Sequence, residues 1–123
     1  YKEKVVLKNG QDCIIRNAIY EDGSEMSDLY AVTHSESDYL LSYPEEHIKE
    51  YWGLGIGKAM MKACVQCAQN AGYQQLELEV VAENQRAENM YKSIGFVEYG
   101  RNPLGFISKY SGPQELVYMR LVL

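Results

Sequence analysis

Apolar positions recur along the chain in two rhythms, and the change between them marks out its elements. From Gly57 to Ala71, Met60, Ala63, Cys64, Cys67, Ala68 and Ala71 fall at spacings of three and four, which predicts a helix with one buried stripe. Lys58, Lys62, Gln66, Gln69 and Asn70 fall outside that stripe, and Gly72 is a natural stop. The period then drops to two. In "QLELEVV", residues 75–81, Leu76, Leu78 and Val80 alternate with Glu77, Glu79 and Val81, the pattern of a strand. A second helix is expected from Asn84, a good N-cap, with Ala87, Met90, Tyr91 and Ile94 along one face and Gly95 at its end.

The flanking segments are less regular. "DCIIR", residues 12–16, reads as a short strand, with "EKVVL" before it as an edge piece. Residues 19–43 carry scattered apolar positions and predict one or two short helices broken near Ser35 to Asp38. Residues 96–108 are strand-like but interrupted by Gly100, Pro103 and Gly105, and "LVYMRLVL", residues 116–123, ends the chain as a strand. The order predicts a mixed α/β or α+β sheet with helices against it, as one domain over residues 1–123.

Composition narrows the function classes. No apolar run approaches the ~20 residues of a membrane helix, and the N-terminus lacks a signal-peptide core, so a cytoplasmic protein with no membrane partner is expected. A net charge of -5 argues against a nucleic-acid partner and is compatible with a cationic substrate. Cys13, Cys64 and Cys67 read as reduced core thiols. The Cys64-Val-Gln-Cys67 spacing lacks a second ligand pair, since His34 and His47 are isolated, and no metal site is expected.

The chemistry centres on "EYWGLGIGK", residues 50–58. Gly53, Gly55 and Gly57 occupy every second position and run straight into the first long helix, an arrangement that aims backbone amides at an anion. A Walker A loop does not fit, because Trp52 stands where its first glycine belongs and Ala59 follows Gly57-Lys58. The dinucleotide fingerprint fits Gly53 and Gly55 but meets Lys58 at its third glycine. A plain glycine turn with no ligand remains the alternative on this stretch alone. Downstream, "VVAENQRAENMYKSIGF", residues 80–96, puts Asn84, Ala87 and Tyr91 on neighbouring turns of one helix face before Gly95-Phe96.

Together the two blocks resemble the GNAT superfamily of N-acetyltransferases. Its signature is Gln/Arg-x-x-Gly-x-Gly/Ala at a helix start, then Asn-x-x-Ala-x-x-x-Tyr and Gly-Phe. Here these read Trp52-Gly53-Leu54-Gly55-Ile56-Gly57, then Asn84, Ala87, Tyr91 and Gly95-Phe96. Trp52 replaces the Gln or Arg and removes any side-chain contact to phosphate from that position.

The resemblance implies a mixed, mostly antiparallel central sheet flanked by helices, with two parallel strands splayed at an acetyl-CoA site. It implies transfer of an acetyl group from acetyl-CoA, without a metal, to a primary amine of a small molecule or a protein, by direct attack in a ternary complex. Trp52, Gly53, Leu54, Gly55, Ile56, Gly57 and Lys58, with Asn84 and Ala87, would bind the cofactor. Tyr91 would be the general acid. Glu77 and Glu79 share one face of a strand expected to be central, and Glu79, nearer the expected acetyl site, is a weak general-base candidate beside the plainer reading of a polar sheet face. A non-catalytic acyl-CoA-binding or regulatory module on the same fold is the alternative reading. Homodimers are common in the family. Its strand before the glycine loop has no match in "LLSYPEEHIKEYWG", so part of the sheet is expected to be missing, with a join near Glu46–His47.

Overall fold

A computed structural model describes residues 1–28, 53–108 and 111–123. They fall in two compact units, Tyr1–Ile56 and Gly57–Leu123.

In the first unit β1 (Lys2–Val6) and β2 (Asp12–Arg16) form an antiparallel hairpin, with Lys2 opposite Arg16 and Val6 opposite Asp12. Its turn is closed by the Leu7 amide donating to the Gln11 carbonyl at 2.8 Å and the Gly10 amide donating to the Leu7 carbonyl at 2.9 Å. Leu7 is buried. A 3-10 turn at Tyr20–Asp22 then leads into helical backbone at 23–28. The rest of the expected 19–43 helices, the join near Glu46–His47, the strand sought before the glycine loop and Trp52 lie outside the described residues.

The second unit holds helix α1 (Ile56–Asn70, entering from the unit boundary), β3 (Gln75–Val81), α2 (Gln85–Ile94), β4 (Val97–Ser108) and β5 (Gly112–Val122). The sheet order is β3-β5-β4, with both pairings antiparallel. Strand β5 begins four residues earlier than its apolar pattern suggests, because Gly112 to Gln114 are held by their ladder to β4 and the Glu115 carbonyl accepts from the Ala82 amide at 2.9 Å. Strand β4 continues through Gly100, Pro103 and Gly105, which the ladder absorbs as register shifts between Glu98 and Gly100 and between Asn102 and Phe106. At Gly105 the backbone passes so close to Leu116 that a Cβ would sit 2.8 Å from its side chain.

One face of this sheet carries the core. Leu76, Leu78 and Val80 stand opposite Leu121, Met119 and Val117, the last two fully buried. Phe96 joins them, Tyr91 and Ile94 of α2 pack against the cluster, and Met61 of α1 does the same. Full burial of a Val or Met side chain contributes roughly 1.5–3 kcal/mol, so Val117 and Met119 are the positions where truncation costs most.

The expected stripe on α1 needs correction. Ala63 and Ala68 are buried and Cys67 half-buried, but Met60, Cys64 and Ala71 are exposed. Of two adjacent methionines only one can face the sheet, about 100° apart on the helix, and Met61 takes that place. The thiols correspondingly do not lie in the core: Cys64 is exposed, Cys13 and Cys67 are half-buried, and all three are free. Among the described residues no helix is long and apolar enough to cross a membrane. None of their His, Cys, Asp and Glu side chains form a group of three that could hold a metal.

Candidate active site

The glycine turn takes its shape from residues without a Cβ. Gly53 has φ 77° and Gly55 φ 91°, a region in which other L-residues are strained. A Cβ on Gly55 would meet only Lys8 Cε, at an ordinary 3.9 Å, so conformation rather than crowding requires glycine there. Within the same unit the Lys8 amide donates to the Leu54 carbonyl at 3.2 Å. In a trans peptide the N–H lies opposite the C=O, so the Gly55 amide points away from that bond.

The turn feeds directly into α1, a helix of 15 residues whose first turn holds no acidic side chain. Its positive end, equivalent to roughly half a charge, is left uncompensated by any first-turn carboxylate. Gly57 is exposed and Lys58 half-buried there. A Cβ on Gly57 would lie 3.6 Å from Met90 Sδ, which sets the start of α1 beside α2 one residue before Tyr91.

Helix α2 explains the spacing of the second block. Asn84 is its N-cap: the side-chain oxygen accepts from the Ala87 amide at 3.1 Å, while the Asn84 carbonyl accepts from the Glu88 amide at 3.1 Å. At the other end Gly95, with φ 118°, donates its amide to the Tyr91 and Lys92 carbonyls, and the Phe96 amide also reaches the Tyr91 carbonyl, at 3.1 Å. That turn drops Phe96 into the core with its ring edge-on to Tyr91, centroids 5.9 Å apart at 63°. Tyr91 is half-buried, its ring held against Phe96.

Sequence reading passed over Glu88, which is only 2% exposed. Its carboxylate accepts from Lys92 Nζ at 2.7 Å and from Gln85 Nε2 at 3.5 Å. The Glu-x-x-x-Lys spacing was the available signal.

Glu79 sits elsewhere. Alternation along β3 puts Glu77 and Glu79 on the face away from the core, opposite Arg120 and Tyr118 of β5. Both carboxylates are exposed, and neither has an ion-pair partner among the described residues. The Arg120 guanidinium lies instead over the Tyr99 ring, 6.0 Å from its centroid. Ala87 and Tyr91 thus pack on the core side of the sheet, Gly57 lies beside Met90 of the same helix, and Glu79 stands on the other face.

Residues 48–96 match the model of the acetyltransferase (GNAT) family, a span that contains both sequence blocks. The chain is similar to an acetyltransferase of the GNAT family from Streptococcus pneumoniae, with 28% identity and a TM-score of 0.58 over 61% of this chain and 45% of that one. It is similar to the ribosomal-protein-S18-alanine N-acetyltransferase from Escherichia coli, with 27% identity and a TM-score of 0.55 over 60% of this chain and 47% of that one. The fold is shared by a Salmonella typhimurium structure solved with its cofactor acetyl-CoA, at 20% identity and a TM-score of 0.57 over 61% of this chain and 43% of that one. A search of curated proteins found no significant match. The chain spans less than half the length of these structures, which fits the expectation that part of the sheet is missing. In its matched segment and in its fold, the chain is similar to the GNAT family of acetyltransferases.

Proposed function

We propose that the protein transfers an acetyl group from acetyl-CoA to a primary amine, by direct attack with both substrates bound, in the cytoplasm. The approach of Gly57 to Met90 carries this reading: it sets an acid-free helix start beside the turn of α2 that bears Tyr91. The Escherichia coli structure, an enzyme named for acetylating an alanine of a ribosomal protein, supports an amine as the acceptor class. Three free cysteines fit a reducing compartment.

Acetyl-CoA, when bound, supplies a thioester-activated acetyl group and a pyrophosphate to hold. The backbone amides from Gly53 to Lys58 would hold that pyrophosphate, and the fit rests on two observations. Gly53 and Gly55 hold positive φ values suited to glycine, and the exposed Gly57 opens a helix whose first turn carries no acidic side chain. Asn84, engaged as a cap, and the small Ala87 keep the start of α2 open and ordered.

Tyr91 would keep a proton on its phenol for the leaving sulfur, a transfer with little pKa mismatch. Glu79 would take the proton that an ammonium acceptor must lose.

Thermal melting with ligands tests the binding half: acetyl-CoA should raise the melting temperature where ATP and NAD do not. CoA release in the presence of an amine mixture tests the chemistry. Stabilisation without release would favour a non-catalytic acyl-CoA-binding module, and no stabilisation by acetyl-CoA would overturn both.

A further inference from the structure

We infer that Lys8, at the tip of the β1-β2 hairpin, is a further ligand of the cofactor's pyrophosphate and supplies there the side-chain contact that position 52 lacks. The inference rests on the acetyl-CoA reading and names a binding residue outside both sequence blocks. Its observations lie within the first unit.

Backbone bonds fix where Lys8 starts. Residues 7–10 form a β-turn, closed by the Gly10 amide on the Leu7 carbonyl at 2.9 Å. The Asn9 side-chain oxygen braces it by accepting from the Gln11 amide at 3.1 Å, and the buried Leu7 anchors its near end. Closure of such a turn leaves the amide of its second residue free, and that of Lys8 donates to the Leu54 carbonyl at 3.2 Å. The hairpin tip is thereby tied to the residue between Gly53 and Gly55.

The side chain follows the same course. Lys8 Cε lies 3.9 Å from the place a Cβ on Gly55 would take, and the ammonium is one bond further on. Lys4 pairs with Asp12 and Arg16 with Asp22, whereas Lys8 has no ion-pair partner among the described residues. A pyrophosphate carries more negative charge than a helix end, equivalent to roughly half a charge, can balance. Trp52 adds no charge to the loop, so a cation beside Gly55 is the complement it calls for. A lysine suits this position, because a point charge on a flexible stem reaches a phosphate without the fixed fork of an arginine.

Calorimetric titration of the whole protein with acetyl-CoA tests the assignment. Lys8→Gln should weaken binding by about three- to tenfold and Lys8→Glu by more, while Lys8→Arg stays near the parent. Lys2→Gln, which removes the same charge from the open end of the hairpin, should bind as the parent does. Lys8 is exposed, so the ligand-free variants should melt with the parent. Dephospho-CoA, which keeps the pyrophosphate and lacks the ribose phosphate, should show the same loss in Lys8→Gln. A loss that vanishes with dephospho-CoA would move the contact to the ribose phosphate and overturn the assignment. Lys8→Gln and Lys8→Glu binding acetyl-CoA as tightly as the parent, or Lys2→Gln weakening it equally, overturns Lys8 as a ligand and leaves the acetyl-CoA reading intact. A parent protein that does not bind acetyl-CoA overturns that reading and the role of Lys8 with it.

Discussion

The side-chain oxygen of Asn84 and the amide of Ala87 are joined by a 3.1 Å hydrogen bond that closes the first turn of α2. The Asn-x-x-Ala spacing is therefore a helix cap before it is anything else. Asn84→Ala should cost about 1 kcal/mol of stability in chemical denaturation, and Asn84→Asp, which keeps the accepting oxygen, should cost far less.

Gly55 and Gly57 should separate conformation from room for ligand. Gly55→Ala forces a Cβ into φ 91° and should cost about 1–2 kcal/mol of stability while weakening acetyl-CoA. At Gly57 the added methyl meets Met90 at an ordinary 3.6 Å, and alanine is the better helix former by up to about 1 kcal/mol. Gly57→Ala should leave the protein as stable as before or more so, yet reduce the acetyl-CoA melting shift. An undiminished shift would show that the amides at this helix end do not hold the cofactor.

Tyr91→Phe keeps the ring that packs edge-on to Phe96 and removes only the hydroxyl. Turnover should fall by tenfold or more with the acetyl-CoA melting shift unchanged. Unchanged turnover would remove Tyr91 as sole acid.

Gly105→Ala is a test of packing alone. The new methyl would sit 2.8 Å from Leu116, a buried side chain on the neighbouring strand, and should destabilise by about 1–3 kcal/mol. Gly100→Ala, whose Cβ would meet the Tyr118 ring at 3.6 Å, should cost less in parallel denaturation curves.

In the first unit the Arg16 guanidinium grips both carboxylate oxygens of Asp22, at 2.6 and 2.7 Å, and the Ile19 amide adds a third bond at 2.8 Å. These bonds, the Arg16 pair foremost, hold Asp22 at about 2 instead of 3.8. A folded-state pKa below the unfolded one means that the unfolded chain binds more protons in between. The contribution is fully present above the unfolded value and is lost as pH falls from about 4 to about 2. Acid titration followed by thermal melts should show this loss in the parent protein and a flatter curve over that window in Asp22→Asn.

The elements that sequence reading found well are those whose ends carry their own chemistry. Helix α2 has an Asn cap and a glycine stop, and β3 alternates without interruption, so both emerged at nearly their observed bounds. The start of β5 did not, because Gly112, Pro113 and Gln114 are in a strand by virtue of β4 beside them. Spacing put Met60 on the buried stripe where the structure puts Met61, since both fit a wide stripe of small residues and the sheet makes the choice. For the candidate site, motif spacing singled out the glycine turn and Tyr91, and the helices that carry them meet through Met90, a residue that no motif names. The face shared by Glu77, Glu79, Tyr118 and Arg120 follows from alternation once strand register is known; the placement of Tyr99 on it depends on the β4 irregularity.

The acid-free start of α1 has a bearing on how such a site responds to solution conditions. Peptide N–H groups do not titrate, so a pyrophosphate held by them has no protein pKa to lose it at. Retention by those amides should depend on pH only through the phosphates themselves and through unfolding. Charge-reversal or alanine scanning of side chains would likewise pass over the proposed amide grip, whose donors would belong to the main chain and be reached only by changing glycines.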